Sequence, residues 1–322
     1  MRIGFTYDLK DFYINKGMSK EEAAEFDEKI TINSIKKELE SLNYEIDDIG
    51  NLDNFLKKIS DGEKWDIIFN IAEGVNGYSR ESVIPSILEN YNIKHTFSDS
   101  NILTLCLDKY LTKIFLEKSN IKTPKFELIS KIEDINNIKK LNFPLFIKPV
   151  NEGTGKGINK NSKVLNFQEL IKQTEYLFNN YTGPFLLEEY IEGKEITIGL
   201  TKNMCFGIVE LEFKNTHNFY CYDNKKDYEK LVVHHKIDEN TDLYKNIYNT
   251  SKEVFDKLNL KDIARIDIRV DNKTNEVYVI EINPIPGLNP IDSELPILAY
   301  KNGYTYKDII KTIIEETIKR ES

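Results

Sequence analysis

The segment ARIDIRV–DNKTNE–VYVIEINPIPG, residues 264–287, constrains this chain more than any other stretch. Successive side chains of a strand point to opposite faces, so residues two apart share a face. Arg265 and Asp267 therefore share a face of the first run, and Glu281 and Asn283 share a face of the second. The Asp, Asn, Lys and Thr between the runs are turn formers, so the segment predicts an antiparallel hairpin. If Asp271 pairs with Val277, Asp267 lies opposite Glu281 and Arg265 opposite Asn283, with opposed Cβ atoms about 5 Å apart. On the other face Ile266 then meets Ile282 and Ile268 meets Ile280, which makes a core. Two close carboxylates repel, and one takes up a proton unless a cation sits between them. Oxygen ligands of this kind suit Mg²⁺, which also binds substrate phosphates. An ordinary amphipathic hairpin with a solvated acidic face is the competing explanation. The apolar flanks and the rigid Pro-Ile-Pro-Gly ending weigh against it.

Upstream, FPLFIKPV sets Lys148 in an otherwise apolar strand, where a lysine must reach a charge or extend to water. NEGTGKGIN follows directly. Gly153, Gly155 and Gly157 let backbone N–H groups turn toward an anion. The loop fits neither the P-loop pattern nor the dinucleotide fingerprint, and by itself it reads equally as a surface turn. FLLEEYIEGKE is a strand running into a glycine turn, with Glu188 and Glu195 seven residues apart. Such a strand exit can offer backbone groups to a purine and a carboxylate to ribose hydroxyls, or it can be a charged loop. The stretch 218–230 carries Lys225 and Lys226 among tyrosines, as a solvated loop or as a mobile cover that neutralises phosphate.

Strand and helix patterns alternate over the first hundred residues, with strands at 1–7 and 65–71 and helices at 23–42 and 83–91. That alternation argues for a parallel sheet covered by helices. A single helix is predicted at 101–119, ended by Thr123-Pro124. A strand at 143–150, a helix at 167–179 and a strand at 185–190 follow. Strands at 195–200 and 206–213, a helix at 244–258, the hairpin and a helix at 306–319 complete the reading. The formal net charge of −9 over 322 residues disfavours a nucleic acid or an anionic membrane as partner. No window approaches the roughly 18 apolar residues of a membrane span, and the first residues read as a strand, not a signal peptide. Cys106, Cys205 and Cys221 are three and far apart, which suggests neither a disulfide framework nor a zinc site. A reducing cytoplasm is the expected location.

With these motifs in order, the chain resembles the D-alanine–D-alanine ligase family of the ATP-grasp superfamily. The resemblance rests on ARIDIRV…VYVIEINPIPGL, FPLFIKPVNEGTGKGI, LLEEYIEGKE and LDKYLTK, and it spans nearly the whole chain. It implies an α/β (α+β) ATP-grasp fold of three units: a parallel α/β domain at 1–100, a central lobe at 101–195 and a C-terminal lobe with the metal site at 196–322. ATP would lie between two antiparallel sheets. Lys109 and Lys148 would hold its α- and β-phosphates, and the loop Gly153, Thr154, Gly155 and Gly157 would close over them. Glu188 would face the adenine amino group, with the backbone of Glu189 and Ile191 beside the purine and Glu195 on the ribose. Asp267, Glu281 and Asn283 would bind two Mg²⁺ ions, with Mn²⁺ as an alternative. Lys225 would approach the γ-phosphate from a closing segment at 216–230. Arg265 and the Gly287 N–H would stabilise the oxyanion. A carboxylate would be activated as an acyl phosphate, and an amine would then displace the phosphate to leave an amide.

The sequence departs from the family in its substrate regions. The N-terminal stretch FTYDLKDFYINKGMSKEEAAEF offers no recognisable glutamate for the first substrate's ammonium. FNIAEGVNGYSRES has Glu73 and Gly74 where the family has His-Gly, and Lys226 stands where it often has tyrosine. Glu73 and Arg80 are candidate replacement contacts, for an ammonium and a carboxylate, with a solvated loop as the alternative. Ser293 is the nearest candidate for the serine beside the second carboxylate. Three functions remain open: a ligase joining two amino acids or short peptides, with D-alanyl-D-alanine as one possible product, a ligase of a tailoring or natural-product pathway acting on other amino acids or peptides, and a nucleotide-binding protein without catalysis. Expected partners are small amino-acid or short-peptide substrates, and relatives suggest a homodimer.

Overall fold

A computed structural model of the chain describes residues 1–138, 140–214 and 231–320. The chain opens with β1 (Arg2–Thr6) and α1 (Lys10–Asn15), then α2 (Lys29–Ser41), β2 (Glu45–Gly50), α3 (Leu52–Ser60), β3 (Ile67–Asn70) and α4 (Val83–Asn90). The three strands form a parallel sheet in the order β2-β1-β3. Ile3 and Phe5 of β1 and Ile67 and Phe69 of β3 share a core with Ile32, Ile35 and Leu39 of α2. Those three residues recur at i, i+3 and i+7, the spacing of one helix face.

The helix expected over 23–42 is shorter. Glu22–Glu25 is a 3₁₀ turn, and α2 starts only at Lys29. Between them, Asp27 donates its N–H to the Asp8 carbonyl at 3.0 Å and accepts from Lys10 N–H at 2.9 Å. That bridge pulls residues 26–28 out of helix and lays them beside the end of β1. The helix expected over 101–119 is two, α5 (Ser100–Leu107) and α6 (Lys109–Lys118). Asp108 caps α6 through Leu111 N–H at 2.9 Å. An aspartate makes a better cap than an interior helix residue. The break makes Lys109 the first residue of α6.

Two antiparallel sheets follow. One runs β4-β7-β5-β6, from β4 (Phe126–Ile129), β5 (Leu145–Pro149), β6 (Lys163–Val164) and β7 (Phe185–Glu189). It is backed by α7 (Phe167–Asn180), whose Leu170 and Leu177 pack on Leu145, Ile147 and Leu187. The other runs β10-β9-β8-β11-β12, from β8 (Gly193–Leu200), β9 (Cys205–Phe213), β10 (Val232–Lys236), β11 (Ala264–Asp271) and β12 (Val277–Asn283). Its core side meets α8 (Asp242–Lys257) through Ile247, Val254 and Phe255.

The chain ends in α9 (Glu294–Lys301) and α10 (Tyr306–Lys319), which return to the N-terminal core through Leu295, Leu298, Ile309 and Ile313. Asp262 anchors that return. Its buried carboxylate accepts Phe97 N–H at 2.6 Å and the Thr317 hydroxyl at 2.7 Å, with Arg320 at 3.1 Å. Asp262→Ala leaves the buried Phe97 N–H without its acceptor and takes the carboxylate from the half-buried Arg320, which keeps only the Phe97 and His95 carbonyls, and should cost about 2 kcal/mol of stability. The check is the urea midpoint, which would stay at the wild-type value if this anchor carried no weight.

Candidate active site

The hairpin of β11 and β12 pairs Arg265 with Asn283, Ile266 with Ile282 and Asp267 with Glu281. Nearer the turn the register shifts, so Ile268 meets Val279, not Ile280, and Val270, not Asp271, meets Val277. The cause is the turn. Asp271 Oδ1 accepts the N–H groups of Lys273 and Thr274 at 2.8 Å, which draws Asp271 toward the loop. A bulge at Ile280 absorbs the odd residue. Ile280 joins Glu281 in lining a cavity, as expected of a device that re-aims side chains.

Asp267 is held on three sides. Arg265 grips it in a two-pronged pair, Nε to Oδ1 at 3.0 Å and NH2 to Oδ2 at 2.9 Å. The Thr197 hydroxyl donates to Oδ1 at 2.8 Å, and Asn283 Nδ2 donates to Oδ2 at 3.0 Å. Burial alone would lower the Arg265 pKa, but the Asp267 carboxylate raises it, so the guanidinium stays charged. Across the strands, Glu281 Oε1 meets Lys109 Nζ at 3.1 Å, and Lys109 also donates to the Glu152 carbonyl at 2.7 Å. The repulsion foreseen for the two carboxylates is thus answered by two cations from different elements.

A second charged cluster lies between the sheets. Glu188 forms ion pairs with Lys148 at 2.9 Å through one oxygen and with Lys113 at 2.7 Å through the other, all three side chains being buried. Burial pushes a carboxyl pKa up, yet the two lysines together draw Glu188 down to about 2. Burial also lowers Lys113 to about 8, whereas the acids around Lys148 raise its pKa. Glu188, expected beside a purine, is directed at these two lysines. Further along, Arg269 pairs with Glu195 at 2.7 Å and donates to the Ile191 and Gly193 carbonyls at 2.8 and 2.9 Å. Its guanidinium lies 4.5 Å over the Tyr190 ring. Burial lifts Glu195 to about 7 despite that partner. Glu189 turns its side chain to Asn142.

The glycine loop is tied to the N-terminal region. Gly153 donates its N–H to Glu25 at 2.5 Å, and the other Glu25 oxygen takes Arg80 at 2.8 Å. Arg80 donates as well to the Asn151 carbonyl at 2.8 Å. Arg80 is therefore spent on holding the loop and is not among the residues lining the cavity. Thr154 takes a positive φ of 50°, and its buried hydroxyl has no partner. Gly157 needs its φ of 75°, and a Cβ there would come within 2.5 Å of Pro149 Cγ. Ser293 Oγ would lie 2.8 Å from a Cβ on Gly287, so a side chain there would displace that hydroxyl. Glu73 lines the cavity with its pKa raised by burial and by Glu81, Glu25 and Asp27. Lys225 and the segment 216–230 lie outside the described residues.

One cavity of about 350 Å³ joins these groups, reaching Lys109, Lys148, Gly153, Thr154, Gly155, Glu188, Glu195, Arg265, Asp267, Glu281, Asn283, Gly287 and Ser293. Two antiparallel sheets that close on a glycine loop, buried lysines and opposed acids make up the plan of the ATP-grasp ligases, and that is the class this fold defines. The family model "D-ala D-ala ligase C-terminus" matches residues 114–315. The chain belongs to the D-alanine–D-alanine ligase family, ATP-dependent enzymes that join amino acids through an amide bond. It is 30% identical to the D-alanine–D-alanine ligase of Aquifex aeolicus (strain VF5) over 237 residues, 74% of this chain and 78% of that protein. With the enzyme of Wolbachia pipientis wMel it shares 28% over 294 residues, 90% and 89% of the two chains. The crystal structure of the Bacillus anthracis enzyme with ATP superposes with a TM-score of 0.73, covering 99% of this chain and 97% of that one at 23% identity, a likeness of fold.

Four residues of the site escaped the sequence reading. Arg269 shares the strand face of Arg265 and Asp267, two residues further on, so alternation alone could have found it. Lys113 lies four residues after Lys109 on one helix face. Glu25 and Glu81 carried no local signal, because their partners are distant in sequence. Replacing Lys113 by Met should lower the thermal midpoint by several degrees, since Glu188 keeps one cation where it had two; breaking a buried pair typically costs about 3 kcal/mol. Melting curves of the variant and the wild type decide it, and equal midpoints would remove Lys113 from the network.

Proposed function

We propose that Asp267, Glu281 and Asn283 hold the Mg²⁺ of this ligase against the phosphates of ATP, and that Lys109, Lys148 and the glycine loop grip those phosphates. The observation that carries this reading is the placement of Asp267 opposite Glu281 on the cavity wall, with Lys109 on Glu281 and Lys148 across the cavity on Glu188. Two carboxylates and an amide form an oxygen-donor set suited to a hard divalent cation. The partnerless Thr154 hydroxyl and the φ > 0 residues Thr154, Gly155 and Gly157 suit an anion. Glu195 and the strand exit at Glu189 and Ile191 would take the nucleoside, and Lys225 would cover the γ-phosphate.

When bound, Mg²⁺ offsets the negative charge that gathers on the transferring phosphoryl group. The substrate carboxylate attacks the γ-phosphorus, the bond to ADP breaks, and an acyl phosphate forms. The amine of the second substrate then attacks the carbonyl carbon and loses a proton, and phosphate departs. Arg265 and the Gly287 N–H face the cavity where the tetrahedral oxyanion would develop. The protein's part is to orient both substrates and to keep water from the acyl phosphate. The three units 1–100, 101–195 and 196–322 would supply substrate seat, nucleotide clamp and metal site.

The substrates of this reading are amino acids or short peptides. Glu73 on the cavity wall would meet a substrate ammonium, and a tailoring or natural-product pathway acting on other amino acids is the second reading. The net charge of −9 speaks against nucleic acid as a partner. No described helix is long and apolar enough to cross a membrane, and the reading puts a homodimer in the cytoplasm, where ATP and amino acids are at hand. Asp267→Ala and Glu281→Ala should each lower amino-acid-dependent phosphate release from ATP by roughly three orders of magnitude while the fold persists. Near wild-type rates in both variants would overturn the metal assignment.

A further inference from the structure

The cavity wall built from residues 25–81 carries two acids with no direct ion pair among the described residues, because the cations that act on them, Arg80 and Lys109, are already paired with Glu25 and Glu281. Of the other acids on this wall, Glu25 is taken by Arg80 at 2.8 Å and Glu28 by Lys10 at 3.2 Å, and Asp27 is engaged as well. Glu73 and Glu81 both line the cavity, yet neither carboxylate forms a hydrogen bond or an ion pair within 4 Å with a described residue. They repel each other, and burial adds to the cost of their charge. A separate observation on the same wall also calls for a ligand. Thr31 lines the cavity, is 1% exposed, and its hydroxyl has no hydrogen-bond partner. Buried polar groups of this kind are normally satisfied.

The wall is rigid. Asp8 accepts Gly74 N–H at 2.8 Å and the Tyr13 hydroxyl at 2.5 Å. Gly74 has φ +73°, and a Cβ there would lie 2.4 Å from the Arg80 carbonyl oxygen. Glu73 is thus held beside the cavity by its own backbone.

Simple charge matching then narrows the ligand. An ordinary amino acid brings one ammonium and one carboxylate. Its carboxylate belongs with Arg265 and the phosphates, and its ammonium needs one acid. The wall supplies two, and a bare carboxylate in a closed cavity costs free energy. We propose that the amino acid seated against Glu73, Glu81 and Thr31 is a diamino acid, whose side-chain ammonium takes the second carboxylate. This inference rests on the ligase reading above and names the substrate class of that same site. Glu73 and Glu81 are its specificity-determining residues.

The test is Mg²⁺-dependent phosphate release from ATP by the full chain, with products identified by mass. The D and L forms of 2,3-diaminopropionate, 2,4-diaminobutyrate, ornithine and lysine are compared with D- and L-alanine, each alone and paired with alanine. The best diamino acid should exceed alanine in kcat/KM by at least about tenfold, as loss of a charged hydrogen bond predicts. Glu73→Gln and Glu81→Gln should each cut that preference by about tenfold or more, chiefly through KM, with ATP binding and the thermal midpoint retained. Alanine turned over as well as every diamino acid would overturn the inference and leave the ligase reading standing. An unchanged preference in both variants would overturn it too. Absence of Mg²⁺-dependent turnover with every pair would sink the ligase reading along with it.

Discussion

Two carboxylates, Asp267 and Glu281, face each other across one pair of hydrogen-bonded strands. The strand ladder fixes that opposition, since it sets opposed Cβ atoms about 5 Å apart whatever charge they carry. Cations must therefore be delivered from elsewhere. Arg265 comes from the same strand, two residues away, and Lys109 from the first turn of a helix that follows the N-terminal sheet. Residues more than 150 positions apart are thereby brought to one point, and the sheets, the helix break at Asp108 and the cavity are arranged around it.

The same rule repeats outward. Arg269 answers Glu195, and Lys113 with Lys148 answers Glu188. Each pair is largely removed from water, where an uncompensated charge is costly. Such pairs also preorganise the cavity, because their side chains are fixed before any ligand arrives. Nucleotide phosphates and a divalent cation would enter by exchange, each taking over a partner that a protein side chain had held. The wall of residues 25–81 breaks the rule, and there the charge left over describes the guest better than the residues that are satisfied.

What could be read from the sequence follows from how local the physics is. The face shared by Arg265 and Asp267, and by Glu281 and Asn283, depends only on strand alternation, so their meeting was legible. The bulge at Ile280 was not, because it follows from how Asp271 caps the turn amides. The helix over 101–119 was read through Asp108, although aspartate is a cap former; apolar periodicity outweighed a single residue. The role of Arg80 was the hardest to see. As a free side chain it suits a substrate carboxylate, but Glu25 and the Asn151 carbonyl claim it from 55 and 71 residues away. The segment holding Lys225 lies outside the described residues, so its place rests on the resemblance alone.

Glu25 divides its two oxygens between the Gly153 amide and the Arg80 guanidinium. An anion arriving at the glycine loop competes with one of these bonds, and a cation arriving at the substrate wall competes with the other. A single side chain thus spans both halves of the chamber, and the occupancy of one half is felt as a loosened tether in the other. In such an arrangement the affinity for one guest would depend on whether the other is bound, and the dependence would run equally both ways.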